Sequence, residues 1–214
     1  MLDYDAEAER YDASRGGEPR AVAAAEAVSR LLPPDARTVA DIACGTGIVT
    51  RLLRRPGRDV LGFDRSPGML KLAAGRLPHR VAVSDATRLP IRSGGVDAVV
   101  LVWLLHLLDD AAPVVAEAAR VLRPGGVFVT TVDKDDAVVN ADRDVGAILT
   151  PIRRALRPHA TDRLEHLTDL AAEYGLRPIA NTTFVGTGQG RSARQWRTAL
   201  ETGRISWAES AGPR

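Results

Sequence analysis

Asp41, Gly45 and Gly47 stand in the run Val39-Ala40-Asp41-Ile42-Ala43-Cys44-Gly45-Thr46-Gly47, where an apolar stretch meets a glycine turn. Glycines at such a turn permit tight backbone geometry and the close approach of a ligand. A dinucleotide loop places a third glycine three positions after the second. Here that position is Thr50. Asp41 would also repel a pyrophosphate, and it suits a ligand's ammonium group instead, directly or through water. Asp64 closes the next apolar run, Val60-Leu61-Gly62-Phe63. A carboxylate there accepts hydrogen bonds from both hydroxyls of a ribose. Asp85, in Ser84-Asp85-Ala86, has the chemistry to accept a bond from an adenine amino group, with the Ala86 backbone N–H beside it. Each has a blander reading. The glycines make an ordinary tight turn, Asp64 caps the helix ahead of Pro67 (a job Ser66 could do), and Asp85 belongs to a surface turn.

These residues need elements to hold them, and the sequence supplies an alternation. Arg20 to Leu32 reads as an Ala-rich helix stopped by Pro33-Pro34. Thr38 to Ile42 is a short buried strand, Ile48 to Arg55 a helix, and Asp59 to Phe63 a strand. Pro67 to Arg76 is a helix with proline well placed in its first turn. Arg80 to Ser84 is a strand, and Val96 to Trp103, apolar throughout its second half, is the clearest strand of all. Ala112 to Leu122 is a helix, broken by Arg123-Pro124-Gly125-Gly126, and Val127 to Val132 is another strand. Further on, Asp142 to Leu156, Asp162 to Tyr174 and Ser192 to Thr202 read as helices. Arg177 to Val185 reads as a strand, Gly186 to Gly190 as a turn, and Ala208 to Arg214 as a frayed end. Short apolar strands alternating with helices imply an α/β fold with a Rossmann-like, doubly wound and mostly parallel sheet covered on both faces. In such a sheet ligands bind beyond the carboxyl ends of the strands. No convincing final antiparallel strand follows Gly203, so the C-terminal edge of the sheet is expected to be shortened, or completed by a hairpin at Gly186 to Gly190.

Composition bounds the possibilities further. The chain has 214 residues, nearly half of them apolar, enough for one α/β domain with an elaboration at one end. One cysteine, Cys44, rules out an intrachain disulfide and makes a cysteine-built zinc site untenable. No metal is expected. No apolar run is long enough to span a membrane, and the acidic start Met1-Leu2-Asp3-Tyr4-Asp5 lacks a signal peptide's basic and apolar regions. No membrane partner and a cytoplasmic location are therefore expected. The net charge is +2, with a net of −2 over residues 1–150 and +4 beyond them. Basic residues are not interleaved with an aromatic platform, so a nucleic-acid partner is not indicated.

Taken in order, Asp-x-Ala-Cys-Gly-Thr-Gly, Gly-Phe-Asp-x-Ser-x-x-Met-Leu, Asp-Ala-x-x-Leu-Pro, Asp-Ala-Val-Val and Leu-x-Pro-Gly-Gly resemble the motifs of class I S-adenosylmethionine-dependent methyltransferases. The resemblance covers about residues 37–132 and is nearest to the small-molecule branch that includes the ubiquinone/menaquinone methyltransferases. Tyr4-Asp5, Tyr11-Asp12 and Arg15-Gly16-Gly17 resemble that branch's opening helix, which closes over the cofactor. The resemblance implies S-adenosyl-L-methionine as cofactor and a small-molecule methyl acceptor. It divides the chain into an N-terminal helical cap (1–36), a cofactor-binding core (37–132) and a C-terminal part that completes the sheet and the acceptor pocket (133–214). By the same resemblance Asp41, Ala43, Gly45 and Gly47 line the methionine moiety, and Asp64 takes the ribose hydroxyls. Arg65 and Met69 flank the adenine, and Asp85 with Ala86 binds its edge. Trp103 lies beside the sulfonium, while Tyr11 and Arg15 contact the cofactor carboxylate or cover the site. Core packing for Trp103 and a surface helix for Tyr11 and Arg15 stand as the competing readings.

Methyl transfer to a hydroxyl or an acidic carbon requires a base. His106, in Trp103-Leu104-Leu105-His106-Leu107-Leu108-Asp109, follows the fourth strand at the active edge, and an imidazole in general titrates near neutrality. The related motif often has two histidines here, and this chain has one. His106 as a helix cap or core residue is the alternative. Arg153, Arg154 and Arg157, or Arg191, Arg194 and Arg197, have the charge to meet an acidic acceptor, or they are solvated faces. The competing functions are a cofactor-binding protein of the same fold without methyl transfer, either regulatory or catalysing a rearrangement, and a nicotinamide-dependent oxidoreductase. The missing third glycine and the Asp41 carboxylate argue against the oxidoreductase.

Overall fold

The computed structural model describes residues 3–134, 151–152, 155, 160–186 and 192–202. Five strands form one parallel sheet: β1 (Thr38–Ile42), β2 (Asp59–Asp64), β3 (Val81–Val83), β4 (Val96–Leu101) and β5 (Leu122–Thr130), in the order β3-β2-β1-β4-β5. The central strands have apolar side chains on both faces, so they must be covered twice. Val99 and Val100, consecutive in β4 and pointing to opposite faces, are both 0 % exposed. On one face the cluster around Ile42, Phe63, Val99 and Leu101 packs against α5 (Ala112–Val121) and α6 (Leu164–Glu173). On the other, Val39, Val60, Ala98 and Val100 meet α2 (Gly17–Leu31) and α3 (Thr50–Leu53). Burying each such valine or leucine contributes about 1.5–3 kcal/mol before entropy is counted.

The register aligns the strand ends. Asp41 pairs with Gly62 on one side and Val100 on the other, and Asp64 pairs with Val83. The carboxyl ends of β1, β2, β3 and β4 therefore form one edge. Strand order reverses direction between β1 and β4, which opens a crevice at that edge. Two helices precede the sheet. α1 (Tyr4–Ser14) begins at Asp3, whose side chain accepts the Asp5 and Ala6 N–H groups, and α2 follows the left-handed Gly16.

Several boundaries differ from the sequence expectation. The helix expected over Ile48 to Arg55 shrinks to Thr50–Leu53, because the glycine turn consumes its first residues and Arg54 is already extended. The break expected at Arg123 to Gly126 lies inside β5: the strand starts at Leu122, opposite Val96, and a register irregularity before Val127 absorbs the Pro-Gly-Gly. The strand expected over Arg177 to Val185 does not form. Pro178 cannot donate to a ladder, no partner strand lies beside the segment among the described residues, and Ile179 and Val185 are exposed. Among the described residues the sheet ends at β5. The helix α7 (Ala193–Glu201) lies within the expected Ser192 to Thr202. The expectations for Asp142 to Leu156, Gly186 to Gly190 and Ala208 to Arg214, and for Arg153, Arg154, Arg157 and Arg191, fall wholly or largely outside the described residues. Among the described residues no helix is long and apolar enough to cross a membrane, and no cluster of metal-ligating side chains occurs.

Candidate functional site

Positive φ recurs at every second residue of the first turn: Ala43 (57°), Gly45 (55°) and Gly47 (72°). Ala43 is the costly one, since a side chain in this region is disfavoured by roughly 1 kcal/mol or more. A Cβ on Gly45 would meet nothing within 4 Å, so its surroundings leave room for a ligand to approach the backbone. Gly47 is required for packing as well. A Cβ there would sit 3.1 Å from both Ala73 Cβ and Leu77 Cδ1 of α4 (Pro67–Arg76) and its C-cap.

The turn is wired to the second strand. The Gly45 N–H donates to Asp64 Oδ2 at 2.8 Å, and the Ser66 N–H donates to Oδ1 at 2.9 Å. Asp64 is half-buried, so each oxygen keeps acceptor capacity for a further donor. The N-cap role weighed for Asp64 belongs to Ser66, whose Oγ accepts the Met69 N–H. Asp85 is exposed beyond β3, where its Oδ1 accepts the Thr87 N–H and hydroxyl. Those bonds hold its carboxyl below the usual range. Ala86 beside it packs on the core, Arg65 is exposed next to Asp64, and Met69 is 1 % exposed beneath α1.

Asp41 is placed differently from a ligand-facing carboxylate. It is 3 % exposed, and Thr50 Oγ donates to its Oδ2 at 2.6 Å. Burial pushes its pKa up to about 7, with the Thr50 bond opposing and the nearby Asp64 charge adding to the rise. Thr50 thus fills the third-glycine position with a fully buried hydroxyl tied to a carboxylate. Cys44 is half-buried behind the turn, and desolvation raises its thiol pKa, which disfavours the thiolate.

The α1 helix lies across this edge and is fastened at both ends. Asp5 Oδ1 accepts the Ser66 hydroxyl (2.5 Å) and the Gly68 N–H (2.7 Å) at the start of α4. Asp12 Oδ1 accepts the Thr46 hydroxyl (2.6 Å), and its Oδ2 pairs with Arg76 at 2.8 Å. Tyr11 lies between these ties, half-buried, with its phenol pKa raised by desolvation. The exposed Arg15 sits over the Tyr11 ring at 5.6 Å. None of the latch contacts was legible in the sequence, because each joins residues far apart in the chain.

Trp103 follows β4 with φ 64°, its N–H bonded to Thr131 Oγ at 2.8 Å. Its ring meets Phe184 at 6.2 Å and carries the Arg20 guanidinium at 3.5 Å. Arg20 and Phe184 escaped the sequence reading. The signal for Arg20 was a charge at helical spacing with the buried Ala24, Ala27 and Val28. His106 lies on the short 3-10 turn Leu105–Leu107, half-buried just past β4 at the same edge.

Residues 40–130 match a family model described as a methyltransferase domain. An uncharacterised methyltransferase of Mycobacterium tuberculosis is 38% identical over 125 residues, covering 58% of this chain and 51% of that protein. A ubiquinone/menaquinone biosynthesis C-methyltransferase of Acidiphilium cryptum is 39% identical over 111 residues, covering 48% and 45%. The chain spans about half the length of the curated relatives it matches. Among solved structures, the methyltransferase bound to the Trm112 activator of Haloferax volcanii superposes with a TM-score of 0.66 at 20% identity, covering 97% of this chain and 95% of that one. A methyltransferase of Thermotoga maritima gives 0.58 at 22%, covering 82% and 80%. The fold is the Rossmann-like fold of class I methyltransferases, as the sequence motifs implied, and residues 40–130 are the stretch that matches the methyltransferase-domain model.

Proposed function

We infer that this chain, built on that methyltransferase domain, is an S-adenosylmethionine-dependent methyltransferase acting on a small-molecule acceptor. The observation that carries the reading is the line of groups along one sheet edge: open space over Gly45, then Asp64 at the end of β2, then Asp85 beyond β3. A nucleoside thioether fits that line. Asp64 offers two acceptor oxygens, already oriented by backbone N–H groups, to ribose hydroxyls. Asp85 and the Ala86 N–H suit the adenine edge, with Arg65 and Met69 at the ring. Ala43, Gly45 and Gly47 give the methionine end its backbone lining, with Asp41 beneath it. Tyr11, Arg15 and the tied α1 close the top, so residues 1–36 serve as the cap. Residues 133–214 contribute to the acceptor side through Phe184.

When bound, the cofactor supplies a methyl group already activated on a sulfonium. The protein's part is alignment and exclusion of water. Asp5 and Asp12 hold α1 down over the site, and Trp103 forms the wall beyond β4. His106 is the candidate to accept a proton at an imidazole nitrogen from an acceptor hydroxyl or acidic carbon.

The test is a transfer assay with methyl-labelled cofactor against a panel of phenols, amines and activated-methylene compounds, read by mass spectrometry. Label should appear on one acceptor class. No transfer to any class, combined with no binding of S-adenosylhomocysteine, would overturn the reading.

A further inference from the structure

Arg20 holds a charge where α2 turns its apolar face inward. It is 6 % exposed, and its Nη1 donates to the Arg15 carbonyl at 3.0 Å. Its guanidinium carbon lies 3.5 Å from the centroid of the Trp103 ring, close enough for a full cation–π contact. No carboxylate pairs with it among the described residues. Burial lowers its pKa to about 10, with Tyr11 opposing and the Arg15 charge adding to the fall, so it remains a cation at neutral pH. A buried cation with one carbonyl and one aromatic face is incompletely compensated, and an anion is the natural complement.

We propose that Arg20 anchors a carboxylate or similar oxyanion carried by the methyl acceptor. This rests on the methyltransferase reading above. Two positions separate it from a site for the cofactor's own carboxylate. The nucleoside groups, Asp64 and Asp85, lie at β2 and β3, so the donor's reactive end points toward β4 and the acceptor lies beyond it. Arg20 is stacked on the residue that follows β4. The same tryptophan packs against Phe184, whose segment is tied to α2 by Arg30 Nη2 at 3.4 Å from Thr182 Oγ and 3.5 Å from the Thr183 carbonyl. The wall therefore offers two aromatic rings beside one cation. That combination suits an acceptor with an apolar body and one acidic group, and Arg can bind such a group with two parallel N–H donors.

The test uses the full chain saturated with S-adenosylhomocysteine. Aromatic and aliphatic carboxylic acids are compared with their primary amides, pair by pair, by ligand-observed NMR. Acids should bind at least tenfold more tightly than their amides. Arg20→Met should bring the ratio to within twofold of unity, Arg20→Lys should keep part of it, and affinity for S-adenosylhomocysteine should change less than twofold in either. That unchanged affinity also shows the variants to be folded. The proposal is overturned if no acid binds, or if acids and amides bind alike in the wild type. It also falls if the preference survives Arg20→Met. A tenfold loss of S-adenosylhomocysteine affinity in Arg20→Met, absent for its decarboxylated analogue, would give Arg20 to the cofactor instead. Failure of the wild type to bind S-adenosylhomocysteine at all would sink the methyltransferase reading, a separate outcome.

Discussion

Asp41→Asn should stabilise the free protein at alkaline pH while removing a pH dependence. The Asp41 carboxyl is buried, with one hydroxyl donor from Thr50, and its pKa rises from 3.8 to about 7. Between those values the unfolded chain has lost its proton and the folded one retains it. Stability therefore falls as pH rises through this window, by about 1.4 kcal/mol per pH unit at most. Over roughly three units the loss amounts to about 4 kcal/mol, complete above pH 7. Asparagine keeps an acceptor for the Thr50 hydroxyl and carries no charge. Its amide N–H groups need partners in the same dry site, at a cost of about 1–3 kcal/mol. The net expectation is a gain of about 2 kcal/mol at pH 8 and a loss or no change at pH 4.5. Urea unfolding of wild type and variant at half-unit steps from pH 4.5 to 8 measures it, and subtracting the two curves removes every other titrating group. A difference that stays flat with pH, or a variant less stable at pH 8, would refute the reasoning.

Gly47→Ala should destabilise the fold by about 2–4 kcal/mol, because the new methyl enters a left-handed residue and presses on α4; a urea midpoint equal to wild type would contradict this. His106→Ala should lower turnover of a hydroxyl or acidic-carbon acceptor by about 10²–10⁴-fold while leaving S-adenosylhomocysteine affinity unchanged. Wild-type turnover would demote His106 to a structural residue of the turn after β4.

Local chemistry made some elements legible to the residue. Ser66-Pro67 sets the start of α4 by a side-chain cap and a proline in the first turn, and the expected and observed helices coincide at Pro67–Arg76. The apolar run at Val96 likewise became β4, ending at Leu101 because Trp103 already turns with positive φ. Other features needed the third dimension. Arg123-Pro124-Gly125-Gly126 reads as a break on its own, and only the opposing β4 shows that an irregular ladder accommodates it. Arg177 to Val185 has strand composition but no partner strand among the described residues. At the candidate site, Asp41, Asp64 and Asp85 fall, as their spacing implied, at or just beyond the carboxyl ends of β1, β2 and β3. The spacing did not reveal that Asp41 lies under the turn rather than facing outward, a consequence of Thr50 folding back from α3. Arg20 was invisible as a site residue because a lone arginine in an Ala-rich helix normally reaches solvent, and its burial depends on Trp103 arriving from β4.

The central claim is that the edge formed by the first turn, Asp64 and Asp85 holds a nucleoside thioether. Titration calorimetry with S-adenosylhomocysteine and with NADH, on wild type and Asp64→Ala, tests it most directly. The account predicts binding of S-adenosylhomocysteine, weakened by about 1.5–3 kcal/mol in the variant through loss of charge-assisted hydrogen bonds, and no binding of the dinucleotide. Binding of NADH without S-adenosylhomocysteine, or an affinity for S-adenosylhomocysteine indifferent to Asp64, would contradict it.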